Sequence, residues 1–190
     1  MRIGIYGGSF DPIHSGHAML ANFVAQCGVV DELWITVNRR NPLKSDKAAA
    51  SDSHRLVMAG IVASKCLNVK VCDIEMSMPS PSYTYDTLLK LKEIYPQHEF
   101  RLVMGSDSFL NFSNWKKWKE ILKSFGLIVY PRPGYRLPLE ESIGTKFLSG
   151  APEFSISSSL VREYIRDNWD INYFVPLEVA EYISQHHLYK

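Results

Sequence analysis

The chain predicts an α/β fold: a three-layer, Rossmann-like arrangement with a mainly parallel sheet and a helical C-terminal part. Three observations carry this expectation. Short, nearly continuous apolar runs alternate with longer segments of helical periodicity. The runs lack the in–out alternation of a half-exposed strand, which suits strands covered by helices on both faces. Glycine, proline or asparagine follows nearly every run directly, where a chain must leave a sheet.

Taken in order, Ile3–Tyr6 is the first strand, and Gly7-Gly8 turns it toward a helix over His17–Gln26. Leu33–Val37 is the second, followed by a loop at Asn38–Lys44 and a helix over Ser53–Cys66. Val69–Ile74 leads through the Pro-bearing stretch Met78–Ser82 to a helix over Tyr85–Ile94. Phe100–Met104 precedes Gly105–Asp107 and a helix over Trp115–Leu122, and Leu127–Tyr130 precedes Pro131–Tyr135. The last third turns helical, with Ser158–Asp167 and Pro176–His187 separated by a loop through Trp169 and Tyr173. A repeated βα order implies right-handed crossovers and a parallel sheet. Such sheets bind ligands outside the carboxyl ends of their strands at a topological switch point. The turns at Gly7–His17, Asn38–Lys44, Gly105–Asp107 and Pro131–Arg132 therefore belong to one edge.

At 190 residues and 46% hydrophobic, the chain suits one compact domain spanning residues 1–190. A formal net charge of +1, without a basic stripe, argues against nucleic acid as a partner. No apolar run approaches the length of a membrane span and no signal segment precedes the first strand, so a cytoplasmic protein without a membrane partner is expected. Cys27, Cys66 and Cys72 form no CxxC pair and read as buried free thiols. Oligomeric state is not legible, and a homo-oligomer is compatible with the sequence.

Residues 7–17, Gly-Gly-Ser-Phe-Asp-Pro-Ile-His-Ser-Gly-His, join the first strand to the first helix. A glycine turn between strand and helix presents backbone N–H groups and a helix N-terminus to an anion. His14 and His17, three residues apart, share a helix face near that start. The loop lacks the Gly-Lys-Ser/Thr ending of a P-loop and the G-x-G-x-x-G of a dinucleotide turn. The histidine pair could be half of a zinc site, although helical zinc pairs usually sit four apart. It could also simply cap and pack the helix.

The undecapeptide resembles the first signature of the HxGH nucleotidyltransferases, with His14-Ser15-Gly16-His17 as the name-giving motif. Ile156-Ser157-Ser158-Ser159-Leu160-Val161-Arg162 resembles that family's second signature, and it too leads into a helix pattern. The resemblance implies adenylyl or cytidylyl transfer, and for ATP as donor Mg²⁺ is expected to arrive on the triphosphate with no dedicated protein metal ligands. By resemblance, Gly7, Gly8, Ser9, Phe10, Gly105, Asp107, Arg132, Ile156, Ser157 and Ser158 line ATP. His14, His17, Lys44 and Arg162 would act on the transferring phosphates. A histidine beside an anion is expected to favour its imidazolium form. Ser157–Ser159 also read as a plain N-cap, a role compatible with anion binding.

Three further segments resemble the nicotinate-nucleotide adenylyltransferases within that group. They are Pro81-Ser82-Tyr83-Thr84 with Thr87-Leu88, Gly105-Ser106-Asp107-Ser108 with Phe112 and Trp115, and Arg132-Pro133-Gly134-Tyr135. The resemblance implies nicotinate mononucleotide as second substrate, contacted by Ser9, Lys44, Tyr83, Thr84, Asp107 and Trp115. Trp115 would stack on the pyridine ring, although Trp115 and Trp118 at helical spacing also read as core. Two positions depart from the pattern: Asn41-Pro42-Leu43-Lys44 has leucine where a histidine is usual, and Arg39 stands where an asparagine is expected.

Overall fold

The computed structural model describes residues 1–39, 49–138 and 143–190. Six parallel strands form one sheet in the order β3-β2-β1-β4-β5-β6. They are β1 (Arg2–Gly8), β2 (Glu32–Val37), β3 (Val69–Cys72), β4 (Glu99–Gly105), β5 (Leu127–Tyr130) and β6 (Thr145–Phe147). The helices are α1 (Ser15–Gln26), α2 (Asp52–Lys65), α3 (Thr84–Ile94), α4 (Ser106–Leu110), α5 (Trp118–Ser124), α6 (Ser158–Arg166) and α7 (Leu177–Gln185). The chain runs outward from β1 to β3, then returns to place β4 on the other side of β1. The switch point thus lies between the ends of β1 and β4, at Gly8 and Gly105.

Side chains alternate across the sheet into two cores, which is why the strands read as unbroken apolar runs. Tyr6, Leu33, Ile35, Val103 and Ile128 join Leu20, Val24, Met58 and Val62 from α1 and α2 on one face. The C-terminal helices close the same core with Val161, Ile165, Val179 and Ile183. Ile3, Ile5, Trp34, Leu102, Met104 and Val129 meet Leu88, Leu91 and Ile121 from α3 and α5 on the other. Fully burying a side chain of this size is worth about 1.5–3 kcal/mol, so both interfaces hold the strand ends firmly.

The expected fold class is met, with four local differences. The third strand stops at Cys72, and Ile74–Ser77 forms a 3₁₀ turn. The helix expected over Trp115–Leu122 starts at Trp118, because Trp115 is extended and Lys117 is left-handed with φ 57°. Strand β6 and helix α4 are additional; three and five residues give too little periodicity to read. Cys27 is exposed at the end of α1, contrary to the expectation of burial, while Cys66 and Cys72 are half-buried. No helix among the described residues is long and apolar enough to cross a membrane.

Candidate active site

Strand β1 delivers Gly7 and Gly8 to the carboxyl edge, and the chain turns there through Ser9 and Phe10. Phe10 has φ 46°, a left-handed conformation costly for a residue with a side chain. Its ring is buried edge-on against Tyr6 and His17, which offsets that strain. A Cβ on Gly8 would lie 2.8 Å from the Phe10 ring, so glycine is what lets the ring fold back over the loop.

Helix α1 is capped by the histidines themselves. His14 is the N-cap, and its Nδ1 accepts the His17 N–H at 3.3 Å, while His17 Nδ1 accepts the His14 N–H at 3.2 Å. This is a reciprocal capping box built from imidazoles. The rings stack with centroids 3.6 Å apart and planes within 20°. A Cβ on Gly16 would come within 3.2 Å of the His14 ring, so glycine at that position admits the stack. With both Nδ1 atoms accepting, each neutral ring carries its proton on Nε2. Burial, followed by the nearby Arg132 cation, pushes the His14 imidazole down to about 4. Burial and the Arg132 charge thus favour the neutral imidazole, whereas the imidazolium expectation concerns a histidine beside a bound anion.

Two clefts meet over the switch point. One is lined by His14, Gly16, His17 and Arg132; the other by Gly7, Asn38, Glu75, Thr84, Gly105 and Trp115. Tyr6 and Tyr130 line both, so the two clefts share that aromatic wall. Arg132 lies 3.9 Å from the Asp107 carboxylate, and Ser106 ties their two loops together. The Ser106 hydroxyl accepts the Arg132 N–H and donates to the Tyr135 carbonyl, both at 2.9 Å.

The start of α6 docks on the same loop. Ser157 caps the helix by accepting the Leu160 N–H at 3.1 Å, and the Ser158 hydroxyl donates to the Pro12 carbonyl at 2.9 Å. Arg162 donates to the Asp11 carbonyl at 2.6 Å and to Ser159 Oγ at 3.2 Å. The two sequence signatures are thus brought together by direct hydrogen bonds, and Ile156 packs against the core beside them. Phe10 enters the site as packing, its side chain being buried. Tyr83 is the N-cap of α3 and has no side-chain cap; the Lys116 ammonium lies 4.1 Å from its ring centroid. Trp115 stands on the wall of the second cleft, outside any helix. Lys44 and Leu43 lie outside the described residues. Arg39 is turned to Asp52 and the Met78 carbonyl at 3.3 and 3.0 Å.

Three residues with no role assigned from sequence hold this site. Arg55 is fully buried and donates to the carbonyls of Ser9 at 2.6 Å and Asn38 at 2.7 Å, and to Asp52 at 2.6 Å. The buried Asp11 carboxylate accepts from the Ala49 and Ala50 N–H groups and from the Tyr189 hydroxyl. Burial, then the Asp11 charge, drives the Tyr189 phenol well above its usual range, so it remains a donor. Glu75, also buried, accepts from Ser82 and Thr87. No periodicity marks such residues; a charge on the inner face of an apolar helix, as at Arg55, is the one signal available.

A cytidylyltransferase-like family model matches residues 5–164. The chain belongs to the cytidylyltransferase-like family. Full-length relatives agree with that placement. A protein of Bacteroides thetaiotaomicron named "Probable nicotinate-nucleotide adenylyltransferase" is 35% identical over 186 residues, covering 98% of this chain and 92% of its own. One of the same name from Flavobacterium johnsoniae is 36% identical over the whole of both chains. Among solved structures, Plasmodium falciparum nicotinic acid mononucleotide adenylyltransferase complexed with NaAD superimposes with a TM-score of 0.80 at 25% identity, covering 99% of this chain and 97% of that one.

Proposed function

We propose that this chain transfers the adenylyl group of ATP to nicotinate mononucleotide, giving nicotinate adenine dinucleotide and pyrophosphate. The observation that carries the reading is the wall that two clefts share at Tyr6 and Tyr130, with the histidine pair on one side and the α3 start and Trp115 on the other. The similarity to nicotinate-nucleotide adenylyltransferases along the whole chain supports the choice of acceptor. The phosphate of the mononucleotide is already ionised, so its oxygen attacks the α-phosphorus of ATP without a general base. What the protein supplies is alignment of two anions and stabilisation of charge on the transferring group and departing pyrophosphate.

In this reading Gly7, Gly8 and Ser9 cradle the phosphates, with Phe10 shaping the loop, and the Nε2 edges of His14 and His17 donate to the transferring group. Arg132, Ser157, Ser158 and Arg162 face the triphosphate, Ile156 and Gly105 border the nucleotide, and Asp107 holds a ribose. Lys44, on the strength of the resemblance alone, contributes a further cation to the transferring phosphates. The uncapped start of α3 at Tyr83 and Thr84 receives the nicotinate carboxylate, and Trp115 stacks on its ring. No group of three or more His, Cys, Asp or Glu among the described residues is placed to hold a metal. Mg²⁺ would arrive with the triphosphate, and Asp107 would contact it at most through water. When bound, that ion neutralises phosphate charge.

The reading treats residues 1–190 as one catalytic domain, since α7, beyond the family-matched segment, packs into the same core, and it takes the cytoplasm as the place of work. Pyrophosphate release from ATP, measured against nicotinate mononucleotide, nicotinamide mononucleotide, phosphopantetheine and glycerol 3-phosphate, tests it. Release should be fastest by far with the first acceptor; release favouring another would reassign the substrate.

A further inference from the structure

Glu75 sits in the 3₁₀ turn just past β3, buried in the wall of the second cleft, 5% exposed. A carboxylate so placed needs hydrogen-bond donors to offset its desolvation. It takes them from two hydroxyls: Ser82 Oγ donates to Oε2 at 2.6 Å and Thr87 Oγ1 to Oε1 at 3.0 Å. Both hydroxyl residues are buried as well. Ser82 lies before the α3 start and Thr87 in its first turn, so one carboxylate grips both sides of Tyr83 and Thr84. Thr87 Oγ1 also lies 3.3 Å from the Tyr83 carbonyl, which links the clamp to the N-cap residue itself. No side chain caps α3, so the direction of its first N–H groups depends on how the turn is held.

We propose that Glu75 is a positioning residue for acceptor selectivity. Resting on the function proposed above, it aligns the backbone N–H groups at the start of α3 with the ring carboxylate of the acceptor. Its two hydroxyl partners direct their protons at Glu75, away from the acceptor. The acceptor's ring substituent is then met by backbone donors, which suit a carboxylate and oppose an amide NH₂. Glutamine in its place preserves shape but presents an NH₂ to one hydroxyl. That hydroxyl must turn its proton away and accept from the NH₂, so a charge-assisted bond on each side of the turn gives way to weaker neutral ones.

The test compares Glu75→Gln, Thr87→Val, Thr87→Ser and the Glu75→Gln/Thr87→Val pair with the parent enzyme. Thermal melts check folding, and kcat and KM are measured separately for ATP, nicotinate mononucleotide and its amide. Glu75→Gln should raise KM for the acid about 10-fold with kcat and KM for ATP within about 3-fold, so that the acid-to-amide ratio of kcat/KM falls by a similar factor. Thr87→Val should shift the ratio in the same direction, Thr87→Ser should restore it, and the double variant should be no worse than Glu75→Gln alone. An unchanged ratio in both Glu75→Gln and Thr87→Val, with the parent active on the acid, overturns the Glu75 assignment alone. Loss of kcat and of affinity for all three ligands together marks a merely structural role and also overturns it. A parent enzyme without turnover of the acid overturns the functional reading and this inference with it.

Discussion

Replacing Arg55 with methionine probes how the phosphate loop is held. Methionine approximates the length of the arginine stem and is tolerant of irregular space, so the change removes the guanidinium with little loss of packing. The guanidinium donates to the carbonyls of Ser9 and Asn38 at 2.6 and 2.7 Å, with a longer contact to that of Arg39 at 3.4 Å. Each carbonyl left buried without a donor costs about 1–3 kcal/mol. The Asp52 partner is over a third exposed, so water takes over much of its share. A net loss of about 3–4 kcal/mol follows, within the range for breaking a buried charged contact. Because Ser9 belongs to the loop proposed to cradle phosphate, kcat/KM for ATP should also drop by about 10–100-fold, the scale of a small misplacement at a reacting centre. Denaturant unfolding at constant m-value, paired with initial rates, reads both. Arg55→Lys, with one ammonium in place of the fork, should fall between the two. A methionine variant within about 1 kcal/mol of the parent would refute the reasoning, since the unsatisfied carbonyls would then cost little.

His14→Ala and His17→Ala should each fold and lose about 10²–10³-fold in turnover, as the loss of one transition-state donor does; steady-state kinetics with a thermal melt checks both. The depressed His14 imidazole makes stability pH-dependent. Above about pH 6.5 the native and unfolded chains both hold it neutral and its contribution is fully present. As pH falls from 6.5 toward 4 the unfolded chain binds a proton that the native chain does not, so about 3 kcal/mol is lost from this group. His14→Asn, which keeps a good N-cap, should flatten that part of the profile. Trp115→Ala should raise KM for acid and amide acceptors alike, about 10-fold or more, leaving their ratio nearly unchanged; parallel titrations with the two mononucleotides decide it.

The layers and the converging turns were legible because the central strands are apolar on both faces and nearly every apolar run is followed by a chain-turning residue, whereas the strand order was not read from the sequence. The imidazole capping box was half-legible: spacing placed His14 and His17 on one helix start, and capping stood as an alternative to ligand contact. The structure has the two histidines capping each other's backbone N–H groups through Nδ1. The charge state of His14 was not legible, because burial is a tertiary property. Apart from the Arg55–Asp52 pair, Arg55, Glu75 and the Asp11–Tyr189 pair act through hydrogen bonds 7 to 178 residues apart in the chain, and no local pattern encodes such distances. Trp115 was placed in a helix on spacing alone, whereas the left-handed Lys117 breaks the chain between it and Trp118.

The most direct measurement follows the α-phosphorus of ATP. Incubated with ATP labelled at that position, Mg²⁺ and nicotinate mononucleotide, the enzyme should place all of the transferred label in nicotinate adenine dinucleotide and release unlabelled pyrophosphate in equal amount. Label recovered as AMP, or orthophosphate released in place of pyrophosphate, would contradict adenylyl transfer to the mononucleotide.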